Sequence, residues 1–187
     1  SDITMIFTGG MTGMPKGVMT KIAPQVAGLF EAVPPLLGLA PLTSMFWRDE
    51  SNPRPPNDRR PEVHDSDGLL IETGAGDEQW HALIAVQKPT AQLFPMTNPK
   101  SFALLQRDRD PAHYHDREAK YERRPSVRVE SLGEWGKGNV RLMQLPAANE
   151  YNDNVIAFWE PEKSPAAGDE MAFKYRLHWF SGRSNKP

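Results

Sequence analysis

From Leu69 to Phe180 the chain reads as short apolar runs, each closed by Gly, Pro, Asn or Asp. The clearest run is Met171 to Phe180, where Met171, Phe173, Tyr175, Leu177 and Trp179 alternate with Lys174, Arg176 and His178. A period of two puts successive side chains on opposite faces of a strand, so this pattern predicts a sheet with one buried face. The same reading predicts strands over Leu69 to Glu72, Trp80 to Val86, Ala91 to Met96 and Ser101 to Gln106. Ser126 to Leu132, Asn139 to Leu145 and Val155 to Trp159 continue the series. Ahead of them, Val26, Leu29, Phe30 and Val33 are spaced by three and four, which fits one face of a short helix over Ile22 to Leu37, stopped by Pro34, Pro35 and Gly38. Glu50 to Arg60 and Asp108 to Arg124 are rich in charge and turn residues and read as long loops. Loops of this length in a compact domain are commonly functional. Many short strands between turns predict an all-β sandwich, here residues 39–180, preceded by an arm (1–38) and followed by a tail (181–187).

Composition narrows the chemistry. The chain has 187 residues, 39% hydrophobic and 25% charged, with a formal net charge of -2, so bulk charge draws it to neither nucleic acid nor anionic membrane. It has no cysteine, which removes disulfides, thiolate nucleophiles and cysteine-bound zinc. The longest apolar stretch, Ile22 to Leu42, is broken by Pro24, Pro34, Pro35 and Pro41, and no run reaches the roughly 18 to 20 residues of a membrane helix. Membrane insertion is therefore not expected. No export signal is visible, and a start at Ser1 reads as that of a fragment or processed chain.

Two local motifs point elsewhere. Phe7-Thr8-Gly9-Gly10-Met11-Thr12-Gly13-Met14-Pro15-Lys16-Gly17 resembles the phosphate loop of AMP-forming acyl-CoA synthetases, with Met11 where a hydroxyl residue is usual. The adenine pocket and mobile C-terminal domain of those enzymes have no counterpart in the sequence, so the segment is expected to form a Gly-rich turn or arm that binds no nucleotide. His113-x-His115-Asp116 has metal-ligand residue types but no obvious third ligand. Neither metal nor cofactor is expected.

The strongest functional signal is an ordered set of motifs. Ala40-Pro41-Leu42-Thr43-Ser44-Met45-Phe46 is followed by Arg60-Pro61-Glu62-Val63-His64-Asp65-Ser66-Asp67-Gly68-Leu69 and Leu104-Leu105-Gln106-Arg107-Asp108-Arg109. Then come Tyr121-Glu122-Arg123-Arg124-Pro125-Ser126, Glu134-Trp135-Gly136-Lys137-Gly138 and Asp153-Asn154-Val155-Ile156-Ala157-Phe158-Trp159. In content and order, residues 39–180 resemble the periplasmic glucan biosynthesis proteins G and D of Gram-negative bacteria. The resemblance implies part of a large, galactose-mutarotase-like β-sandwich, a periplasmic location, and a β-glucan oligosaccharide or polysaccharide as partner. It further implies likeness to inverting endo-β-1,2-glucanases.

Glycoside hydrolysis needs one carboxylic acid to protonate the leaving oxygen and a second carboxylate to activate water. By position, the resemblance implies Asp153 as general acid, Asp65 as general base through a water relay, and Tyr121 beside the cleft. Asp153 precedes an apolar strand, where partial burial is expected to keep it protonated; Asp65 lies in a polar turn expected to keep it ionised. Trp80, Trp135 and Trp159 offer flat faces for sugar rings, although core packing is the commoner use of tryptophan. Arg107, Arg109 and Arg124 offer forked donors to vicinal hydroxyls, or to neighbouring carboxylates. Two other functions stay open: a noncatalytic carbohydrate-binding or scaffold module, because other domains of the family are missing, and an adenylate-forming enzyme fragment. The truncated chain is expected to turn over little glucan and to expose sheet edges through which it self-associates.

Overall fold

The computed structural model describes residues 2–8, 41–48, 55–163 and 170–181. The Gly-rich motif beyond Thr8, the helix expected over Ile22 to Leu37 and the start of the Glu50 to Arg60 loop lie outside them. The described residues form twelve strands: β1 (Asp2–Thr8), β2 (Leu42–Thr43), β3 (Met45–Trp47), β4 (Val63–His64), β5 (Gly68–Glu72), β6 (Glu78–Ala82), β7 (Thr90–Thr97), β8 (Ser101–Leu105), β9 (Ser126–Ser131), β10 (Lys137–Gln144), β11 (Val155–Pro161) and β12 (Glu170–Phe180). All are paired antiparallel. One sheet has the order β1-β12-β9-β8-β5-β6, a second β2-β11-β10-β7, and β3 pairs with β4 alone. Asp2–Thr8, read from the sequence as part of an arm, is the edge strand of the first sheet, paired with β12 from Asp2↔Arg176 to Thr8↔Glu170.

The two larger sheets pack face to face, and alternation decides which side chains meet. Leu69, Ile71, Phe102, Leu104, Val129, Phe173 and Tyr175 of the first sheet share one cluster with Val140, Leu142, Val155, Ala157 and Trp159 of the second. β11 is buried on both faces, because Ile156 and Phe158 pack with Met143 and Leu42 on its far side. That is why its sequence is a continuous apolar run rather than an alternating one. Two glycines let tryptophans lie flat on the sheets. A Cβ on Gly138 would sit 2.4 Å from the Glu160 carbonyl oxygen and 2.6 Å from the Trp159 ring, and one on Gly68 would sit 1.9 Å from the Trp80 ring. In each case a cross-strand aromatic covers the backbone that the glycine leaves bare.

Three sequence expectations are corrected. Trp80 to Val86 is not one strand: β6 ends at Ala82, after which the Leu83 amide bonds the Asp67 carbonyl and Leu83 drops into the core, so burial mimicked a strand signal. Trp179 does not join the layer of Phe173 and Tyr175. It stands one pair from the end of the β12–β9 ladder and is 64% exposed. The Asp108 to Arg124 stretch is not all loop. Asp110 caps a single helical turn, α1 (Pro111–Tyr114), by accepting from the Ala112 amide, and a 3-10 turn follows at Tyr121–Arg123. Both turns point a tyrosine inward, and Tyr114 and Tyr121 form a satellite cluster with Phe46, Trp47 and Val63.

Candidate active site

The site is built where the short β3–β4 pair meets the start of β11. Thr43, Ser44 and Met45 run between two segments distant in sequence and bond to both. On one side, the Asp65 amide donates to the Ser44 carbonyl at 3.0 Å and the Thr43 hydroxyl donates to Ser66 Oγ at 2.8 Å. On the other, the Asn154 amide donates to the Thr43 carbonyl at 3.1 Å, and the Ser44 hydroxyl donates to Asp153 Oδ1 at 3.0 Å. The Asn154 side chain completes the clamp: Oδ1 accepts from the Met45 amide while Nδ2 donates to the Met45 and Leu145 carbonyls, all at 2.9 Å. Asp65 and Asp153 are thus brought to one place by a single intervening residue.

Asp65 is not the open, polar carboxylate that its neighbours in sequence suggest. Burial pushes its pKa above the ordinary range, and the nearby Asp153 charge adds to this. The Arg124 guanidinium, with Nε 3.1 Å from Asp65 Oδ1, opposes the rise, as does the Ser44 hydroxyl. The Tyr121 phenol faces the same space. Burial first, then Glu150 and Asp65, drive its pKa well above the usual phenol value, so it stays a protonated donor. Arg124 also lies 5.6 Å from the Tyr121 ring centroid and so touches two of the three expected site residues.

Behind the site lies a buried polar chain. Gln106 Nε2 contacts the carbonyls of His64 at 3.1 Å and Tyr121 at 3.0 Å, and the Tyr114 hydroxyl at 2.9 Å. Carbonyls only accept, which fixes the amide orientation and leaves Gln106 Oε1 facing His64 Nδ1 at 2.9 Å. Nδ1 therefore carries a hydrogen, and His64 Nε2 faces Glu62 Oε2 at 2.8 Å. Two acceptors cannot meet at that distance, so the Glu62–His64 pair holds a further proton between them. Asp67, 1% exposed, receives the amides of Arg107 at 3.2 Å and Asp108 at 3.3 Å and anchors the loop that follows β8. Arg60 ties three loops together, with 2.6 Å to Asp58, 2.8 Å to Asp116 and 2.8 Å to Glu150. These carboxylates, Asp58 foremost, hold its pKa above its ordinary value.

The proposed sugar contacts separate. Trp135 and Trp159 are 7% and 1% exposed and lie in the sandwich core, Trp135 donating its indole N–H to the Lys174 carbonyl, so neither ring presents a face to a ligand. Trp80 lies over Gly68 with the Arg107 guanidinium stacked 3.5 Å from its ring centroid, and Arg107 also pairs with Asp67. Arg109 donates to the Glu122 and Arg124 carbonyls at 2.9 and 2.6 Å, a clip within its own loop. Of the three arginines, Arg124 is the one paired with Asp65. His113 bonds Asp108 at 2.7 Å, and Asp116 is engaged by Arg60.

Ser44, Asn154, Gln106 and Glu62 carry the geometry and were not singled out by sequence reasoning, yet each lies inside one of the ordered motifs. Their signal is a polar side chain set against strongly apolar neighbours, as with Ser44 before Met45-Phe46 and Gln106 after Leu104-Leu105. Buried polar groups in such places need partners.

The comparisons with known proteins agree with the motif order. A sequence model described as "Periplasmic glucan biosynthesis protein, MdoG" matches residues 31–187, starting ahead of Leu39 and running past Phe180. "Glucans biosynthesis protein G" of Pseudomonas syringae pv. tomato is 49% identical over 144 residues, covering 76% of this chain and 22% of the relative. The protein of the same name from Cereibacter sphaeroides is 46% identical over 87% of this chain and 30% of the relative. "Glucans biosynthesis protein D" of Stenotrophomonas maltophilia is 46% identical over 81% and 28% respectively. The chain therefore spans less than a third of the length of these relatives. Because the family model covers residues 31–187, most of the sequence, the chain belongs to the periplasmic glucan biosynthesis protein family.

Proposed function

We propose that this chain forms the catalytic centre of a periplasmic protein that cleaves β-1,2-linked glucan backbones with inversion. Asp153 is the proton donor to the leaving oxygen, and Asp65 receives, through water, the proton of the attacking nucleophile. The observation that carries this reading is the meeting of Asp65 and Asp153 at Ser44, in a chain of a glucan biosynthesis family. Burial, and then the Asp153 charge, oppose ionisation of Asp65 and so raise its affinity for a proton. A carboxylate raised above its ordinary pKa is also a better proton acceptor near neutral pH, and Arg124 keeps it from being neutralised altogether. In this reading the protonated Tyr121 phenol orients water or a sugar hydroxyl, which its raised pKa supports.

The test is product analysis on linear β-1,2-glucan with the full-length protein. Asp153→Asn and Asp65→Asn are each expected to lower turnover by about 10²- to 10⁴-fold, the usual worth of a positioned acid or base, with glucan binding retained. Near-normal activity in either variant refutes the assignment. Glucan binding without turnover by the unmutated protein would favour the noncatalytic carbohydrate-binding module instead.

A further inference from the structure

We infer that Ser44 is a positioning residue that couples the two carboxylates, its carbonyl holding the Asp65 backbone and its hydroxyl holding the Asp153 side chain. The inference rests on the catalytic reading of that pair. Ser44 is 3% exposed and cannot drift. Thr43 before it accepts from the Asn154 amide, and Met45 after it is bonded at both backbone groups by the Asn154 side chain. With the backbone fixed on both sides, only the side chain can turn, and its single hydroxyl hydrogen is shared between Asp153 Oδ1, 3.0 Å away, and the Asp65 carboxyl, whose pKa it lowers. A donor fixed in this way holds the carboxyl in one rotamer and sets how far it stands from Asp65. That spacing matters because an inverting site must leave room for water between its carboxyl groups. Packing alone does not explain a serine here: alanine would fill nearly the same volume, and a buried hydroxyl is retained at a cost unless it is bonded.

The coupling is read most directly by carbon NMR of labelled aspartate. The groups facing the Asp65 carboxyl are Arg124 and Tyr121 from the turn after α1, Asp153 from the start of β11, and His64 beside it in β4. In Ser44→Ala all of these stay and one donor goes. The Asp65 titration is expected to move upward by roughly half a unit to one unit, as loss of one charge-assisted hydrogen bond at a partly exposed site implies. In Asp153→Asn it is expected to move downward. In the full-length protein Ser44→Ala should lower kcat about 10- to 100-fold with KM little changed, since orientation and not binding is lost. A measurement without any change at Ser44 guards against a misfolded variant: the Ser44 hydroxyl proton should be slow to exchange in the unmutated chain and fast in Asp153→Ala. An unmoved Asp65 titration, a fast-exchanging Ser44 hydroxyl, or kcat within twofold of normal while Asp65→Asn and Asp153→Asn are inactive, overturns the role of Ser44 alone. Activity surviving in both aspartate variants overturns the catalytic reading instead.

Discussion

Replacing Asn154 by alanine should be among the most damaging single changes at the site, although Asn154 neither titrates nor faces a ligand. Its side chain makes three hydrogen bonds of 2.9 Å with the residue 6% exposed. A buried neutral hydrogen bond contributes about 0.5 to 1.5 kcal/mol, and an abandoned buried partner costs about 1 to 3 kcal/mol. Truncation abandons the Met45 amide and leaves the Met45 and Leu145 carbonyls each one donor short. We expect a loss of about 3 to 4 kcal/mol, a large share of the roughly 5 to 15 kcal/mol of a typical domain. Asn154→Asp separates geometry from charge. One oxygen can still accept from Met45, but the other must face two carbonyls, so the folded-state pKa of the new carboxyl is raised. At pH values below its unfolded pKa, about 3.9, the acid is protonated in both states, its O–H can donate, and the penalty is small. As pH climbs past that value toward the folded pKa, the penalty grows to its full size. Urea unfolding of the 187-residue chain, followed by tryptophan fluorescence at pH 4 and pH 7, measures both effects. Asn149→Ala serves as control, since its bond to the Tyr151 amide is exposed and the change should stay within about 0.5 kcal/mol. An Asn154→Ala loss below about 1 kcal/mol, or an Asp variant as stable as the parent at pH 7, would refute the clamp.

Asp65→Asn should stabilise the fold at neutral pH while removing the proposed base. The Asp65 pKa is raised by burial, so its ionised form opposes folding once pH passes the unfolded value, and the gain in the Asn variant should vanish below about pH 3.8; thermal melts at pH 3 and pH 7 check it, and equal melting points at pH 7 count against it. Trp159→Ala should cost about 3 to 5 kcal/mol through a core cavity yet leave glucan affinity per folded molecule unchanged, because Trp159 is 1% exposed; a binding isotherm corrected for folded fraction decides this.

How much of this was legible in the sequence follows from the range of each interaction. Strands such as β5, β9 and β12 announce themselves because alternation is local, needing only a buried face and turn residues at the ends. β2, β3 and β4 have two or three residues each, too few to show a period, and the β3–β4 pair carries much of the site. The motif order marks Asp65, Tyr121 and Asp153, but their environments are set by partners far along the chain. Asp65 sits among His64, Ser66 and Asp67 and reads as solvated. It is three-quarters buried because Arg124 and Ser44 close over it, which no window of neighbours can register. Trp135 and Trp159 are buried for a related reason: aromatic type says nothing of whether a ring turns inward, and Trp159 of β11 and Trp135 of the β9–β10 connection pack on each other in the sandwich core, Trp135 also against Phe173.

The span of the clamp has a consequence for the order in which the molecule comes into being. Ser44 and Met45 meet Asp153 and Asn154 across 109 positions, whereas the hairpin β5–β6 closes over a short turn. Long-range closures pay their entropy last, after local pairings have formed. Asp65 and the β3–β4 pair precede Asp153 and Asn154 along the chain, so synthesis delivers them before the residues that complete the site. Opening of the turn before β11 would separate the two aspartates while the middle of the larger sheet stays paired. Amide exchange at Met45 should accordingly run ahead of exchange at Val129 or Phe102 in the middle of the larger sheet.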